Sequence, residues 1–213
     1  MPHDSSLSGD DSSATASAPA VRKRMKPGER RAQILQMLAT MLEQPGAERI
    51  TTALLASKLD VSEAALYRHF ASKAQMFEGL IDFIEQTVFT LINQIAEREG
   101  DGAQKAARMV TVLLQFGEKN PGMTRVMVGD ALVFENERLQ QRMNQFFERV
   151  ESALRQVLRA AAEAHQSGAP TVEAQVKAAV LVSFALGALQ RFARSGFKRS
   201  PLDNLEASLG LIV

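Results

Sequence analysis

Several residue types are missing from this chain, and their absence excludes whole classes of site. The 213 residues include no cysteine and no tryptophan, and the three histidines, at positions 3, 69 and 165, show no ligand spacing. Without thiols, a disulfide scaffold or a thiolate metal site is excluded, which fits a reducing cytoplasm. We therefore expect no metal and no cofactor.

The sequence motifs of common enzymes are also missing. The chain contains no G-x-x-x-x-G-K-[ST] phosphate loop, no G-x-G-x-x-G turn, no G-x-S-x-G nucleophile turn and no H-E-x-x-H helix. Glu148 and Glu151 share a segment with Arg149 and Arg155, a pattern typical of ion pairs on a solvated helix face. We predict no catalytic residues and no enzymatic activity.

Long apolar segments are scarce as well. No charged segment followed by an apolar run opens the chain, so a signal peptide is not expected. The longest apolar run, 178–189, contains Ser183 and is shorter than the roughly 20 residues that span a bilayer. The sequence predicts a cytoplasmic protein without a membrane partner.

Composition divides the chain into three segments. Residues 1–20 are rich in Ser, Ala, Gly and Asp and have few apolar anchors, which predicts a disordered tail. Residues 21–73 carry ten Lys or Arg against five Asp or Glu, whereas the net charge of the whole chain is only +1. This local excess of cations favours a nucleic-acid partner. Residues 74–213 form the third segment.

A basic arm opens the second segment. Its cluster of cations consists of Arg22, Lys23, Arg24, Lys26, Arg30 and Arg31. Such side chains neutralise phosphates or enter a minor groove. The alternative is a solvated tail without a DNA contact.

The segment 51–73 has the pattern of two short helices joined by a tight turn. Thr51 or Thr52 can cap the first helix, Asp60 and Val61 form the turn, and Ser62 can cap the second helix. The apolar residues predicted to be buried are Leu55, Leu59, Ala65, Leu66 and Phe70. The outer surface of the second helix is then polar, as in a recognition helix that enters the major groove. The alternative is an ordinary helical hairpin.

The remainder of the chain repeats apolar residues at three- and four-residue steps. Helices are predicted at about 28–44, 72–100, 103–119, 123–134, 139–167 and 172–194, with no strand-like alternation of useful length. The fold class is therefore all-α. The last two helices are the dimerisation candidates, and in the second of them Ser183 and Gly187 lie one turn apart on a face where two backbones can approach closely. Alternatively, both helices bury their apolar stripes within one subunit.

Methionine and phenylalanine are frequent in the third segment. The residues concerned are Met109, Phe116, Met123, Met127 and Phe134. We interpret them as core, with a ligand cavity as the alternative. Because few polar groups accompany them to orient a ligand, no small-molecule ligand is expected.

Residues 30–35, 50–52 and 61–73 resemble the DNA-binding domain of the TetR family. The resemblance implies a three-helix helix-turn-helix domain with its basic arm at 21–73. A helical dimerisation and partner-binding domain follows at 74–213, with about nine helices in all. It also implies a homodimer on palindromic double-stranded DNA. Asp60 replaces a frequent glycine and Ala71 a frequent proline, but Asp tolerates left-handed turn geometry, so the expected fold is unchanged.

Positions on this motif assign the expected DNA contacts. Phosphate contacts are predicted for Thr51, Ser62, Tyr67, His69 and Lys73. Base-edge contacts are predicted for Ser62, Glu63 and Ala64. As alternatives, the ring of Tyr67 has a packing role, and His69 merely ends its helix.

A narrower resemblance extends into the third segment. Residues 116–125 and 138–149 are similar to those of TetR-family members that act as nucleoid occlusion factors. This likeness implies a nucleoid-associated protein that binds the division protein FtsZ and blocks ring assembly over DNA.

The same likeness places Phe83, Lys119 and Asn120 in the FtsZ groove, while Leu91 and Gln115 depart from the expected residue types. Phe83 is alternatively a core residue. The alternative function is a ligand-responsive transcriptional repressor, whose cavity is expected among four residues of the interior, Met109, Phe116, Met127 and Phe134.

Overall fold

The computed structural model describes residues 28–44, 49–98 and 100–213. The tail at 1–20 and the arm residues Arg22, Lys23, Arg24 and Lys26 lie outside these ranges. Within them the chain forms nine α-helices and no strand, which confirms the all-α prediction. The helices are α1 (Glu29–Leu42), α2 (Thr52–Lys58), α3 (Glu63–Tyr67), α4 (Lys73–Glu97), α5 (Gly102–Lys119), α6 (Pro121–Met127), α7 (Glu137–Ala164), α8 (Pro170–Arg194) and α9 (Leu205–Ile212).

Hydroxyl caps fix the starts of three of these helices. The side-chain oxygens of Thr51, Ser62 and Ser72 each accept a hydrogen bond, 3.2 Å long, from the backbone N–H three residues ahead. Each cap satisfies an N–H group that the first helical turn leaves unpaired, and is worth about 1 kcal/mol. Thr51, and not Thr52, is therefore the cap of α2.

The turn between α2 and α3 has the predicted geometry. Asp60 has a φ of 53°, in the left-handed region that a short polar side chain tolerates. Val61 is partly buried against the core and fills the angle between the two helices. The replacement of the usual glycine therefore leaves the turn intact.

The helix α4 connects the three-helix domain α1 to α3, which we call the reader, with the rest of the molecule. Its buried residues run from Met76 to Ile95, and one continuous hydrophobic core includes α1 to α3 as well as α5 to α9. Farther along, α7 and α8 pack along each other and α5 lies against both. The reader thus shares one core with α5 to α9, which form the regulatory half of the chain.

An ion-pair cluster fastens α7 to α4. The Arg142 guanidinium donates hydrogen bonds to Glu85 at 2.8 and 3.0 Å and to Asp82 at 2.6 Å. The hydrogen bond to Glu85 is the main reason that the pKa of Arg142 is raised above its usual range. Because the cluster is partly exposed, its contribution to stability is modest.

The region around α6 differs from the sequence prediction. A helix at 123–134 after a breaker was expected, but α6 begins at Pro121 itself and ends at Met127, and a separate 3-10 turn follows at Asp130–Leu132. Proline suits the first helical position, since the N–H that it lacks has no partner there. Phe134 lies beyond these elements and is 60% exposed, so its assignment to the interior was wrong.

The helix α8 is apolar on two faces. By length and composition alone, it is the one helix of the described ranges that could cross a membrane. Ala178, Leu181 and Ala185 are buried in the core, whereas the outer face exposes Val172, Val176 and Val180. A helix that is apolar all round is usually covered on both sides.

Candidate nucleic-acid interface and adjoining groove

The exposed surface of α3 carries the residues expected to touch bases. Ser62, Glu63 and Ala64 are exposed at its start, and Arg68 and His69 are exposed just beyond its end. The opposite side is anchored by Leu66 and Phe70, which are at most 1% exposed. A short helix held in this way presents its N-terminal residues outward, as a recognition helix does.

A hydrogen-bond chain links α2 to α3 across this surface. The Thr52 hydroxyl donates to Glu63 Oε2 at 2.6 Å, and the Tyr67 hydroxyl donates to Thr52 Oγ1 at 3.4 Å. Tyr67 is 45% exposed, so its ring is not a core residue and its hydroxyl lies at the surface. Thr52 was not among the predicted contact residues, because a sequence does not reveal which threonine caps α2 and which is free to bond elsewhere.

Lys73 lies at the first position of α4, and its side chain is already paired. Its Nζ is 2.5 Å from Glu135 Oε1, and the Glu135 side chain is only 9% exposed. Nearby, the Arg49 guanidinium lies 4.9 Å from the centroid of the Phe134 ring. The residues that follow the 3-10 turn therefore contact two cations, Arg49 of the reader and Lys73 at the start of α4.

Arg31 stabilises the end of α3. Its guanidinium donates to the backbone oxygen of His69 at 2.6 Å and lies 4.0 Å from the centroid of the Phe70 ring. Arg30 donates to Gln33 at 2.7 Å on the same helix. We therefore assign Arg31 to packing of the reader, although the sequence had grouped it with phosphate-neutralising cations.

A groove opens where the reader meets the regulatory half. It has a volume of about 430 Å³, and its lining includes Leu35 and Ala39 of α1, Leu80 and Phe83 of α4, and Met123 of α6. Phe83 is 47% exposed and its ring centroid lies 6.2 Å from that of Phe116. The alternative that Phe83 is a core residue therefore fails.

The other two predicted groove residues lie at the end of α5. Asn120 lines the groove and its amide donates to the Phe116 backbone oxygen at 2.7 Å. Lys119 is exposed beside it but does not line the groove. A second, smaller hollow of about 220 Å³ lies farther along α4 and α5, lined in part by Leu91 and Val112.

The groove depends on a close approach of α1 and α6. A Cβ added to Gly122 would lie 2.1 Å from the backbone oxygen of Ala39, so only glycine allows this contact. Ala39 also lines the groove. The helix contact therefore sets the shape of the groove, and it connects the regulatory half to the first helix of the reader.

The cavity expected for a ligand-responsive repressor is not formed by the residues proposed for it. Met109 and Met127 are at most 2% exposed within the core, Phe116 is 6% exposed, and Phe134 is on the surface. A larger hollow, about 530 Å³, lies elsewhere, open to solvent between α5 and α9. In the part of the chain that the structure describes, no group of three His, Asp or Glu side chains is arranged to hold a metal ion.

Family models match both halves of the chain. One described as "Bacterial regulatory proteins, tetR family" matches residues 34–80. A second, described as "Tetracyclin repressor-like, C-terminal domain", matches residues 102–213.

Solved structures share the fold at low sequence identity. One is the transcriptional regulator FadR from Bacillus subtilis in complex with stearoyl-CoA, with a TM-score of 0.67, 14% identity and coverage of 85% of this chain and 97% of that one. Another is the TetR family regulator PfmR from Thermus thermophilus, with a TM-score of 0.68, 20% identity and coverage of 85% and 94%. These similarities establish the fold alone.

Curated relatives are much more similar in sequence. The nucleoid occlusion factor SlmA from Vibrio vulnificus is 51% identical over 188 residues, which cover 88% of this chain and 95% of the relative. The protein of the same name from Photobacterium profundum is 51% identical over 182 residues, covering 85% and 92%. The chain therefore belongs to the tetR family of bacterial regulatory proteins and, within it, to the family of the nucleoid occlusion factor SlmA.

Proposed function

We propose that this protein is a sequence-specific DNA-binding homodimer that acts as a nucleoid occlusion factor. While bound to palindromic chromosomal sites in the cytoplasm, it binds FtsZ and blocks assembly of the division ring over the nucleoid. The observation that carries the proposal is identity of about one half to nucleoid occlusion factors along nearly their whole length, regulatory half included.

DNA binding is supported by the surface of the reader. The exposed start of α3 suits base edges, and the capped starts of α2 and α4 present hydroxyl and backbone N–H groups to phosphates. The basic arm at Arg22, Lys23, Arg24 and Lys26 adds sequence-independent attraction. Two readers related by a two-fold axis would occupy half-sites at least about 10 base pairs apart.

Dimerisation is supported by the outer face of α8. Val172, Val176 and Val180 follow each other at one-turn spacing and are 62%, 57% and 44% exposed. Farther along the helix, an added Cβ at Gly187 would have only the tip of Arg191 nearby, at 3.7 Å, so a second backbone has room to approach. A second copy of α8 covers this apolar strip in the way that α7 covers the inner one.

FtsZ binding is supported by the groove beside Phe83. An exposed aromatic ring, apolar walls and the Asn120 amide suit a short peptide with apolar anchors. Glu43 is the charged residue of the lining, so an acidic residue of the peptide would be matched only at the edge of the groove, by Lys119 at the end of α5. Because α1 forms one wall, a peptide in the groove contacts the reader directly. A peptide in the groove and a duplex on α3 would therefore contact the same three-helix domain.

Binding of the FtsZ C-terminal tail peptide tests the proposal. Fluorescence anisotropy with the full-length protein is expected to give saturable binding, which Phe83→Ala and Lys119→Ala weaken. Leu211→Ala is the matched control, because Leu211 is 90% exposed on α9, which contributes no residue to the groove. Absence of peptide binding with and without a palindromic duplex would contradict the FtsZ part of the proposal and favour a ligand-responsive repressor.

A further inference from the structure

An acidic side chain in the first turn of the recognition helix needs an explanation. Glu63 is exposed at the start of α3, where a carboxylate faces the phosphates of any bound duplex. Among the described residues no cation forms an ion pair with it. Its negative charge is favourable next to the helix N-terminus through the macrodipole, but the same charge is repelled by the phosphates of a bound duplex.

The orientation of this carboxylate is fixed from α2. The Thr52 hydroxyl donates to Oε2 at 2.6 Å, and the Tyr67 hydroxyl donates to Thr52 at 3.4 Å. Hydrogen bonds to a charged acceptor are about twice as strong as neutral ones. One oxygen of Glu63 is thereby held, and the other remains able to accept a hydrogen bond.

The chemistry of the major groove selects one base for such an acceptor. Guanine presents two acceptors there, and thymine presents an acceptor and a methyl group. Adenine has a donor at N6, but its N7 acceptor lies beside that donor and repels a carboxylate. Cytosine presents the N4 amino group and has no major-groove acceptor on the same base.

We propose that Thr52 is a specificity-determining residue of the reader, which positions Glu63 to accept a hydrogen bond from the N4 amino group of a cytosine. Thr52 acts through Glu63 and is a positioning residue, while Glu63 makes the base contact. Tyr67 supports the pair through the longer bond to Thr52. The inference rests on the proposed DNA-binding function and adds which base the recognition helix reads and what aims the side chain.

Selection of binding sites from a random duplex pool by the full-length protein tests this directly. The wild-type motif is expected to contain a cytosine in each half-site, and replacing it with another base is expected to lower affinity by about 5- to 150-fold, the usual cost of one mismatched base pair. Thr52→Val keeps the shape of the side chain but removes the donor, and should cut that preference several-fold. Thr52→Ser retains the hydroxyl and should preserve the preference.

Two further readouts separate base reading from a structural effect. Glu63→Gln is expected to shift the preference at the same position towards adenine, which a glutamine recognises through N6 and N7. The salt dependence of binding should not change in Thr52→Val, because no phosphate contact is lost. If Thr52→Val weakened binding to all DNA sequences equally, or if the variant selected the same motif as the wild type, the inference would be overturned and the DNA-binding proposal would stand. Selection of no palindromic motif by the wild type would overturn both.

Discussion

Lys73 in the first turn of α4 forms an ion pair with Glu135, a residue 62 positions later in the chain, at 2.5 Å. The pair joins the N-terminus of the helix that leaves the reader to the residues that precede α7. Lys73 is also the cation predicted to contact a DNA phosphate. The same ammonium group therefore has a carboxylate partner in the free protein and a phosphate partner in the proposed complex.

Lys73→Ala should weaken binding to every DNA sequence to a similar degree. Loss of one phosphate contact lowers the slope of log K against log salt by about one. Binding titrations at several salt concentrations, on a palindromic and an unrelated duplex, measure both effects. An unchanged slope would remove Lys73 from the set of DNA contacts.

Glu135→Gln should have the opposite effect. It removes the charge that competes for Lys73, and partly exposed ion pairs are worth up to about 1 kcal/mol, so affinity should rise by up to about fivefold. The double variant with Lys73→Ala is the control, because Glu135→Gln should then no longer tighten binding. A gain in affinity that persists without Lys73 would assign the effect of Glu135 to something other than the ion pair.

Val176→Asp should convert the dimer to monomers. Val176 is 57% exposed in the middle of the apolar strip on α8, and a carboxylate buried between two copies would lack a partner. Sedimentation velocity at micromolar concentration measures the change. Leu211→Asp alters an apolar side chain that is 90% exposed on α9 and should leave the oligomeric state unchanged. Two variants with the same sedimentation coefficient would contradict dimerisation through α8.

Gly122→Ala should destabilise the protein by about 1–3 kcal/mol, since the added Cβ would lie 2.1 Å from the Ala39 backbone oxygen and force α1 away from α6. Urea unfolding measures the loss. Gly210→Ala is the matched control, because Gly210 is also helical but has open space around it. In Gly210→Ala the gain in helix propensity, about 1 kcal/mol, should stabilise the protein or leave its stability unchanged.

The parts of this structure that local chemistry decides could be predicted from the sequence. Ser62 as a cap, Asp60 in a left-handed turn and the apolar repeats of α4 all depend on residues within a few positions of each other. The start of α6 was misplaced because Pro121 was interpreted as a helix breaker, whereas it is the first residue of the helix. Pairs such as Lys73 with Glu135 depend on how distant segments pack, which no local pattern encodes.

Thr52 illustrates the same limit at shorter range. Both Thr51 and Thr52 have a hydroxyl that can cap α2, and only the backbone geometry decides that Thr51 does so. The remaining hydroxyl then becomes free to bond Glu63. The exposed position of Phe134 was likewise missed, since an aromatic residue in an apolar segment is more often buried.

The most direct test of the central claim measures FtsZ assembly by light scattering with the protein and a palindromic duplex. The account predicts that the wild-type protein with DNA reduces polymer formation, that protein without DNA does so less, and that Phe83→Ala has little effect in either state. FtsZ assembly that the wild type leaves unchanged at concentrations that saturate the duplex would contradict the account.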